Sequence, residues 1–596
     1  MIKFPYGISD FQNIISNNFY YVDRTDRIPL IEEAGKQLLF LRPRRFGKSL
    51  LLTMLENYYD VAKAEQFEAL FGKLAIGKNP TTLHNQYFVL RWDFSAVNPQ
   101  GDVEQIQRNL YQYINLRIKA FADYYKKLLP DEIHIEPDNA QASFISLLMA
   151  VQKTPYRLYL LIDEYDNFAN ELMMGGKVTD TARYKTLLYG EGSLKALFKV
   201  IKSAATGLGL ERVFLTGVSP VVMSDITSGY NVAESISLSP EFNDLCGFLE
   251  SEIHATLRQV AIECDFPLQE VDKALTMIRS FYNGYCFCYE NKPLVYNPTL
   301  ALYFMKSFQK HCKYPDNMLD SNLAMDRGKL RYIARIPDGD KLIVQALNDK
   351  EPVTVSELSD RFGVEDMLTV KKDNAFMASL LYYFGILTMG GMTGFRRKIL
   401  RIPNLVIRKL YVEQIQEMLI PDFNDSETVT QVSEIFYSTG NMQPLCDFIE
   451  TRYFKAFSNR DYRWTNELVV KTAFLTLLFN DILYIIDSET TLERTYADLT
   501  MIVRPDMRKY QLLDILIEFK YVSLPDAGLT GQTAKQMTPD ELKAIPVVKE
   551  KLSEATSKLS QYREVLINKY SDEMRLHSYS VVSVGFDRLV WDEVKQ

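Results

Sequence analysis

The sequence predicts an α/β protein in three parts. These are an N-terminal parallel sheet covered by helices, a helical middle carrying a winged-helix module, and a C-terminal α/β unit. Three observations predict this. Strand-like and helix-like segments alternate up to residue 238, which is the pattern of a parallel sheet with helices on both faces. From 239 to 437 the apolar residues recur mostly at helical spacing. From 438 to 596 a helix-rich stretch gives way to strand, strand, helix and strand. The expected domains are therefore 1–238, 239–437 and 438–596. The 596 residues, 47% apolar and 24% charged, suit a soluble globular chain of several domains.

In the first part, Gln37–Leu41 is a short buried-strand pattern and Leu50–Tyr59 a helix. Gln86–Phe94 and Arg212–Gly217 are further strand candidates, and the fully apolar Leu158–Ile162 suits a central parallel strand. In the middle, Leu249–Ala261 and Val271–Tyr282 are helices. Lys341–Leu347, Val355–Phe362 and Asn374–Phe384 read as three short helices. The strands Ile386–Met389 and Ile399–Ile402 follow them, as in a winged helix. A structural lid or linker is favoured for it over DNA reading by its third helix. In the last part, Asn466–Phe479 is a helix, and Tyr496–Val503 and Leu512–Val522 are strands. Ser523–Pro546, rich in Pro, Gly and polar residues, reads as a surface loop. Lys549–Tyr570 is a helix with Leu552, Ala555, Leu559, Tyr562 and Leu566 on one side, and Tyr579–Phe586 is a closing strand.

The net charge of −8 lacks the whole-chain basic footprint of a nucleic-acid-coating protein. It leaves room for a local basic groove around an acidic metal site. The start has no apolar run of signal-peptide length, and no run spans a membrane, so a soluble cytoplasmic protein is expected. The six cysteines form no CxxC pair and read as ordinary reduced thiols rather than zinc ligands. The five histidines lie too far apart in sequence to suggest a metal site.

Arg42-Pro-Arg-Arg-Phe-Gly-Lys-Ser49 stands between a strand and a helix, where a phosphate-binding P-loop belongs. Its N–H groups would hold phosphate at the helix N-terminus. Lys48 would reach the β- and γ-phosphates of ATP, and Ser49 would hold Mg²⁺. The opening position is Arg42 where glycine is usual, so the entry turn must differ. Leu158-Tyr-Leu-Leu-Ile-Asp-Glu164 is an apolar strand ending in two carboxylates. Asp163 would bind Mg²⁺, and Glu164 would orient or deprotonate the attacking water. Thr216 and Ser219 are candidates to contact the γ-phosphate. Arg44 and Arg45 could touch phosphate or form a basic loop facing solvent; Phe46 and Gly47 complete the loop.

Near the C-terminus, Asp498 lies on one predicted strand and Glu518-Phe-Lys520 on the next. Residues i and i+2 of a strand share a face, so Glu518 and Lys520 point the same way. A hairpin of the two strands would bring Asp498 to Glu518. Two carboxylates make a hard oxygen site suited to Mg²⁺ or Mn²⁺, and Lys520 would position water or offset charge. This is the residue set of a metal-dependent nuclease; an ordinary same-face ion pair is the plainer reading. Glu467 could complete the metal shell through water, and Gln561 and Tyr562 could face the same cleft.

Over nearly its whole length the chain resembles bacterial AAA-ATPase-like proteins with a C-terminal PD-(D/E)XK nuclease domain. The resemblance rests on Phe4-Pro-Tyr-Gly-Ile-Ser-Asp-Phe11, Phe19-Tyr-Tyr-Val-Asp-Arg-Thr25, the loop Arg42–Ser49, Leu160–Asp166, Tyr282-Asn-Gly-Tyr285, Ala497-Asp498, Ile517-Glu-Phe-Lys520 and Gln561-Tyr562. It implies an ATPase joined to a nuclease, with nucleic acid, DNA first, as partner. Proteins of AAA type often assemble, so a homo-oligomer is also among the expected partners. Arg494-Thr-Tyr-Ala-Asp498 stands where such proteins often carry Gly-Arg before the catalytic Asp. The alternative is an ATP-switched signalling or scaffold protein whose nuclease-like domain only binds nucleic acid or a protein partner.

Overall fold

The apolar runs of the N-terminal part become strands β1 (Gln37–Leu41), β2 (Tyr87–Asp93), β3 (Arg157–Asp163) and β4 (Leu210–Gly217). The computed structural model describes residues 1–98, 100–167, 192–221, 232–318, 327–348, 351–359, 362, 373–419, 423–455, 467–487, 490–492, 495–570 and 574–594. With the short β5 (Glu234–Ser235) the strands form one parallel sheet, ordered β2-β3-β4-β1-β5. Side chains alternate between its faces. Tyr87 of β2 packs on Tyr59 of α1 (Lys48–Tyr59). Its neighbour Phe88 packs on Phe121 of α2 (Val103–Tyr124), and Trp92 on Phe144 of α3 (Ala140–Gln152). Both faces are thus covered, which is why the strands carry apolar runs instead of alternation.

The middle part begins with α4 (Glu250–Glu263), α5 (Leu268–Tyr282) and α6 (Pro298–His311). The expected reduced state of all six cysteines is corrected: Cys264 and Cys312, just past the ends of α4 and α6, form a disulfide. Next come α7 (Gly339–Ala346), β6 (Val353–Val355), α8 (Asn374–Tyr383), β7 (Thr388–Met392) and β8 (Lys398–Arg401). The three strands form an antiparallel sheet ordered β6-β8-β7. The helix expected over Val355–Phe362 is corrected at its start, where Val355 ends β6; residues 360–361 lie outside the described residues. Every residue of α8 from Phe376 to Tyr383 is buried, so this helix has no open face to lay in a DNA groove.

Gly284, in the turn between α5 and Tyr285, has φ +105°. A Cβ there would lie 1.9 Å from the carbonyl oxygen of Pro403. Left-handed geometry costs a larger residue about 1–2 kcal/mol, and the backbone overlap costs as much again. Gly284→Ala is expected to lose about 3 kcal/mol of stability, read as a lower midpoint in urea unfolding.

Helix α9 (Leu405–Leu419) packs on α10 (Glu467–Leu478) and ties the middle to the C-terminal part. The expected border at 437/438 falls inside helix Phe423–Thr439, whose Phe436 and Tyr437 pack on Tyr579 and Tyr484. The C-terminal sheet contains β9 (Tyr484–Asp487), β12 (Leu499–Val503), β13 (Asp514–Val522), β14 (Leu576–Val584) and β15 (Arg588–Glu593), and its order is β15-β14-β13-β12-β9. A separate hairpin pairs β10 (Thr490–Leu492) with β11 (Thr495–Ala497). β13 and β14 run parallel, so the chain must cross over between them. Helix α11 (Pro546–Tyr570) makes that crossover and packs on both strands. The expected loop Ser523–Pro546 is corrected, because Gly531–Gln536 and Pro539–Ala544 are helices. Among the described residues no helix is long and apolar enough to cross a membrane.

Candidate functional site

β4 runs between β1 and β3. The loop after β1 and the ends of β3 and β4 therefore open on one edge, at the carboxyl ends of the strands, where open α/β sheets bind ligands. In the loop Arg45 has φ +66° and Gly47 φ +91°. Left-handed residues alternating with right-handed ones turn successive N–H groups toward one point, the backbone arrangement of an anion-binding nest, at the start of α1. The Lys48 ammonium donates to the carbonyl oxygens of Arg42 (3.0 Å) and Pro43 (3.1 Å), folded back on its own loop. The ring of Phe46 is buried against Tyr285 and Phe287, which leaves only its backbone for a ligand. Arg44 donates to Asn167 Oδ1 at 2.9 Å. Arg45 lines the cavity described below, and its carbonyl accepts from Thr299.

Arg42, which stands in place of the usual glycine, is a buried strut. Its guanidinium donates to the carbonyls of Leu41, Ser237 and Phe242 at 2.7–2.8 Å and lies over the rings of Phe40 and Phe287. Burial pushes it down to about 10, still protonated at neutral pH. The turn between α8 and β7 presses on the same loop. Gly385, just past α8, packs so closely on Pro43 that a Cβ would lie 2.6 Å from its ring.

Asp163 is fully buried at the end of β3. Thr216 donates to its Oδ1 at 2.7 Å, and Arg91 lies 3.4 Å from its Oδ2. Glu164 follows in left-handed geometry (φ +52°) and lines the cavity with Lys48 and Ser49. Such strain collects at functional sites. Burial raises the Glu164 carboxyl above its ordinary range, against the pull of the Lys48 ammonium. Ser219 is taken out of the γ-phosphate role: its hydroxyl and N–H both donate to Asp166.

A cavity of about 470 Å³ adjoins the loop. Tyr6 and Tyr21 from the N-terminal segment and Cys246, Phe248 and Leu302 from the middle part wall it. Its mostly apolar, aromatic wall beside a phosphate nest suits a nucleoside. Sequence reasoning missed these walls, although the segment Phe4–Phe11 had stood out.

In the C-terminal part the expected strand Tyr496–Val503 splits at Asp498 into β11 and β12. β12 pairs antiparallel with β13 up to Leu499 opposite Ile517, and Asp498 and Glu518 are the residues next to that pair. The antiparallel pairing of the two strands is present, and the Phe519 N–H donates to Asp498 Oδ2 at 2.9 Å. Glu518 is fully buried. Its Oε1 accepts from Lys520 at 2.8 Å and from Lys558 of α11 at 2.9 Å, while its Oε2 is buried without a hydrogen-bond partner. Burial, then the neighbouring Asp498 charge, raise the Glu518 carboxyl, opposed by Lys520. Glu467, the first residue of α10, stands 3.7 Å from the Lys520 ammonium. Tyr562 belongs to the core with Leu559 and Leu566, and Gln561 is exposed. Lys558 is the contributor that sequence reasoning missed. Among the described residues no cluster of three or more His, Cys, Asp or Glu is placed to hold a metal ion. The partnerless Oε2 beside Asp498 nevertheless fits a cation bound by two carboxylates.

Residues 5–227 match the family model described as "Predicted AAA-ATPase". The N-terminal part is similar to AAA-ATPase-like domains, a class whose covered parallel sheet and phosphate loop it shares. An uncharacterized protein in the vnfD 5' region of Azotobacter chroococcum mcd 1 is 24% identical over 556 residues, covering 89% of this chain and 92% of that protein. Two solved structures align with the chain. Cdc6p from Pyrobaculum aerophilum covers 68% of it and 98% of its own length at 11% identity and a TM-score of 0.25. The Aeropyrum pernix ORC1 protein in complex with DNA covers 67% and 89% at 10% identity and a TM-score of 0.21. At those scores neither bears on the function of this chain.

Proposed function

We propose that the chain binds and hydrolyses ATP and couples this to metal-dependent cleavage of nucleic-acid phosphodiester bonds, with DNA as the first substrate to test. The observation that carries the nuclease half is the convergence of Asp498, Glu518 and Lys520, with Glu467 at the edge.

In the ATPase half, the N–H groups of Arg44 to Ser49 cradle the phosphates and Lys48 turns from its loop carbonyls to them. Ser49 and Asp163 would hold Mg²⁺, which neutralises phosphate charge. Thr216 fixes the Asp163 carboxylate, and Glu164 orients the attacking water. In the nuclease half, Asp498 and Glu518 would hold Mg²⁺ or Mn²⁺, with Glu467 reaching it through water. Such an ion polarises the scissile phosphate and acidifies a bound water. Lys520, anchored by Glu518 and the Phe519 carbonyl, offsets the charge that develops on the phosphate. Coupling has a packed route. The turn after α8 presses on the phosphate loop, and α9 packs on α10, whose first residue is Glu467.

A second reading has its own support. Two ammonium groups occupy Glu518 Oε1, as in a domain that binds nucleic acid without cutting it. The test is cleavage of plasmid and linear DNA in Mg²⁺ or Mn²⁺, with and without ATP, beside Lys48→Ala. The expected result is cleavage in the wild type whose response to ATP disappears in Lys48→Ala. DNA binding with ATP turnover but no cleavage in either metal would move the reading to an ATP-switched binding protein.

A further inference from the structure

Lys520 and Lys558 share one oxygen of Glu518, but they are held differently. The Lys520 side chain is 6% exposed and also donates to the Phe519 carbonyl. Lys558 reaches in from α11 with its side chain 41% exposed. The cluster of Glu467, Asp498, Glu518, Lys520 and Lys558 holds one more carboxylate than ammonium. A divalent cation reverses that balance. It also competes with an ammonium for Glu518, and of the two ammonium groups the half-exposed one can leave into water or onto a ligand at small cost.

We propose that Lys558 is a substrate-phosphate contact: it holds Glu518 while no metal is bound and passes to a phosphate oxygen of the nucleic acid once a divalent cation takes that carboxylate. The proposal rests on the nuclease reading above. Three features support it. Glu518 keeps a second oxygen buried and without a partner, so the carboxylate retains capacity for a cation while Lys558 is seated. Lys520 stays within reach of Glu467 when Glu518 is drawn to metal, so the inner ammonium is not stranded. Lys558 also lies on the crossover helix that covers β13 and β14, with its side chain 41% exposed to solvent and so open to an incoming ligand.

The exchange makes two expectations of opposite sign, which a merely structural lysine would not produce. Without nucleic acid, Lys558→Met removes a competitor of the metal, so Mn²⁺ should bind roughly fivefold more tightly, the size of one half-exposed ion pair. With Ca²⁺ present as a cation that does not support cleavage, the same variant should bind a fluorescein-labelled DNA duplex several-fold more weakly. Its log–log salt slope should be shallower by about 0.9, one phosphate contact. Lys558→Arg should restore the DNA arm. Mn²⁺ titration followed by electron paramagnetic resonance reads the first arm, and fluorescence anisotropy the second. Unchanged values in both arms, or both bindings weakened together, would overturn the role of Lys558. If Glu518→Ala then still abolished Mn²⁺ binding, the nuclease reading would stand without it. No Mn²⁺ binding by the wild type would remove that reading and this proposal with it.

Discussion

Arg42→Gly, which restores the residue usual at the opening of a phosphate loop, is expected to destabilise the protein by about 4 kcal/mol. The usual glycine serves a tight entry turn. Here the turn is built instead around the buried guanidinium, which donates to three carbonyls and lies over the rings of Phe40 and Phe287. Removing it leaves acceptors without donors, at about 1–3 kcal/mol for each buried group, and a void beside Phe287. Relief of the burial penalty on the guanidinium offsets part of that loss. Urea unfolding measures the change, and nucleotide binding of the folded fraction should weaken with it, because Ser237 and Phe242 brace the loop through the same side chain. A variant as stable as the wild type would show that the loop is held by its apolar contacts alone. Arg42→Lys keeps a charge but not the planar fork, so it should recover less than half of the loss.

That role could not be read from the sequence. An arginine in Arg-Pro-Arg-Arg reads as one of several basic residues in a loop, and only the fold reveals that Arg42 turns inward while Arg44 and Arg45 stay near the opening. Apolar runs flanked by punctuation were legible, because burial on both faces leaves a composition signal: β1 to β4 and α1 stand within a few residues of their expected bounds. The split at Asp498 was not legible, since the run on both sides of it is uniformly strand-like. The helices within Ser523–Pro546 were hidden by Pro and Gly, although Thr538-Pro-Asp-Glu541 carries a capping-box pattern that could have announced one of them. The pairing of Cys264 with Cys312 depends on two helix ends meeting, 48 residues apart in sequence. Within the sites, residues neighbouring in sequence or on adjacent strands were found. Lys558 was missed because it lies on the flank of a helix whose apolar stripe drew the reading, and no local pattern links it to Glu518.

Glu518→Ala separates a metal site from an ordinary ion pair. If Glu518 existed to pair with lysine, its loss would strand buried charge and cost about 3–5 kcal/mol of stability. The surroundings argue for less. Lys558 is half-exposed and can turn to water, and Lys520 keeps Glu467 nearby and the Phe519 carbonyl. The carboxylate itself is costly where it stands: burial and Asp498 both raise it, and one oxygen has no partner. A group kept at such cost is expected where function requires it. Glu518→Ala should therefore change stability by less than about 2 kcal/mol. Metal-dependent cleavage should fall at least about 10³-fold, the equivalent of about 4 kcal/mol of lost transition-state stabilisation. ATP turnover, which uses the loop Arg42–Ser49 of the N-terminal part, should persist in the same sample. Parallel urea unfolding and DNA cleavage on one preparation decide between the two. A large loss of stability with cleavage unchanged would make Glu518 the structural partner of its lysines and leave the C-terminal domain a binding module.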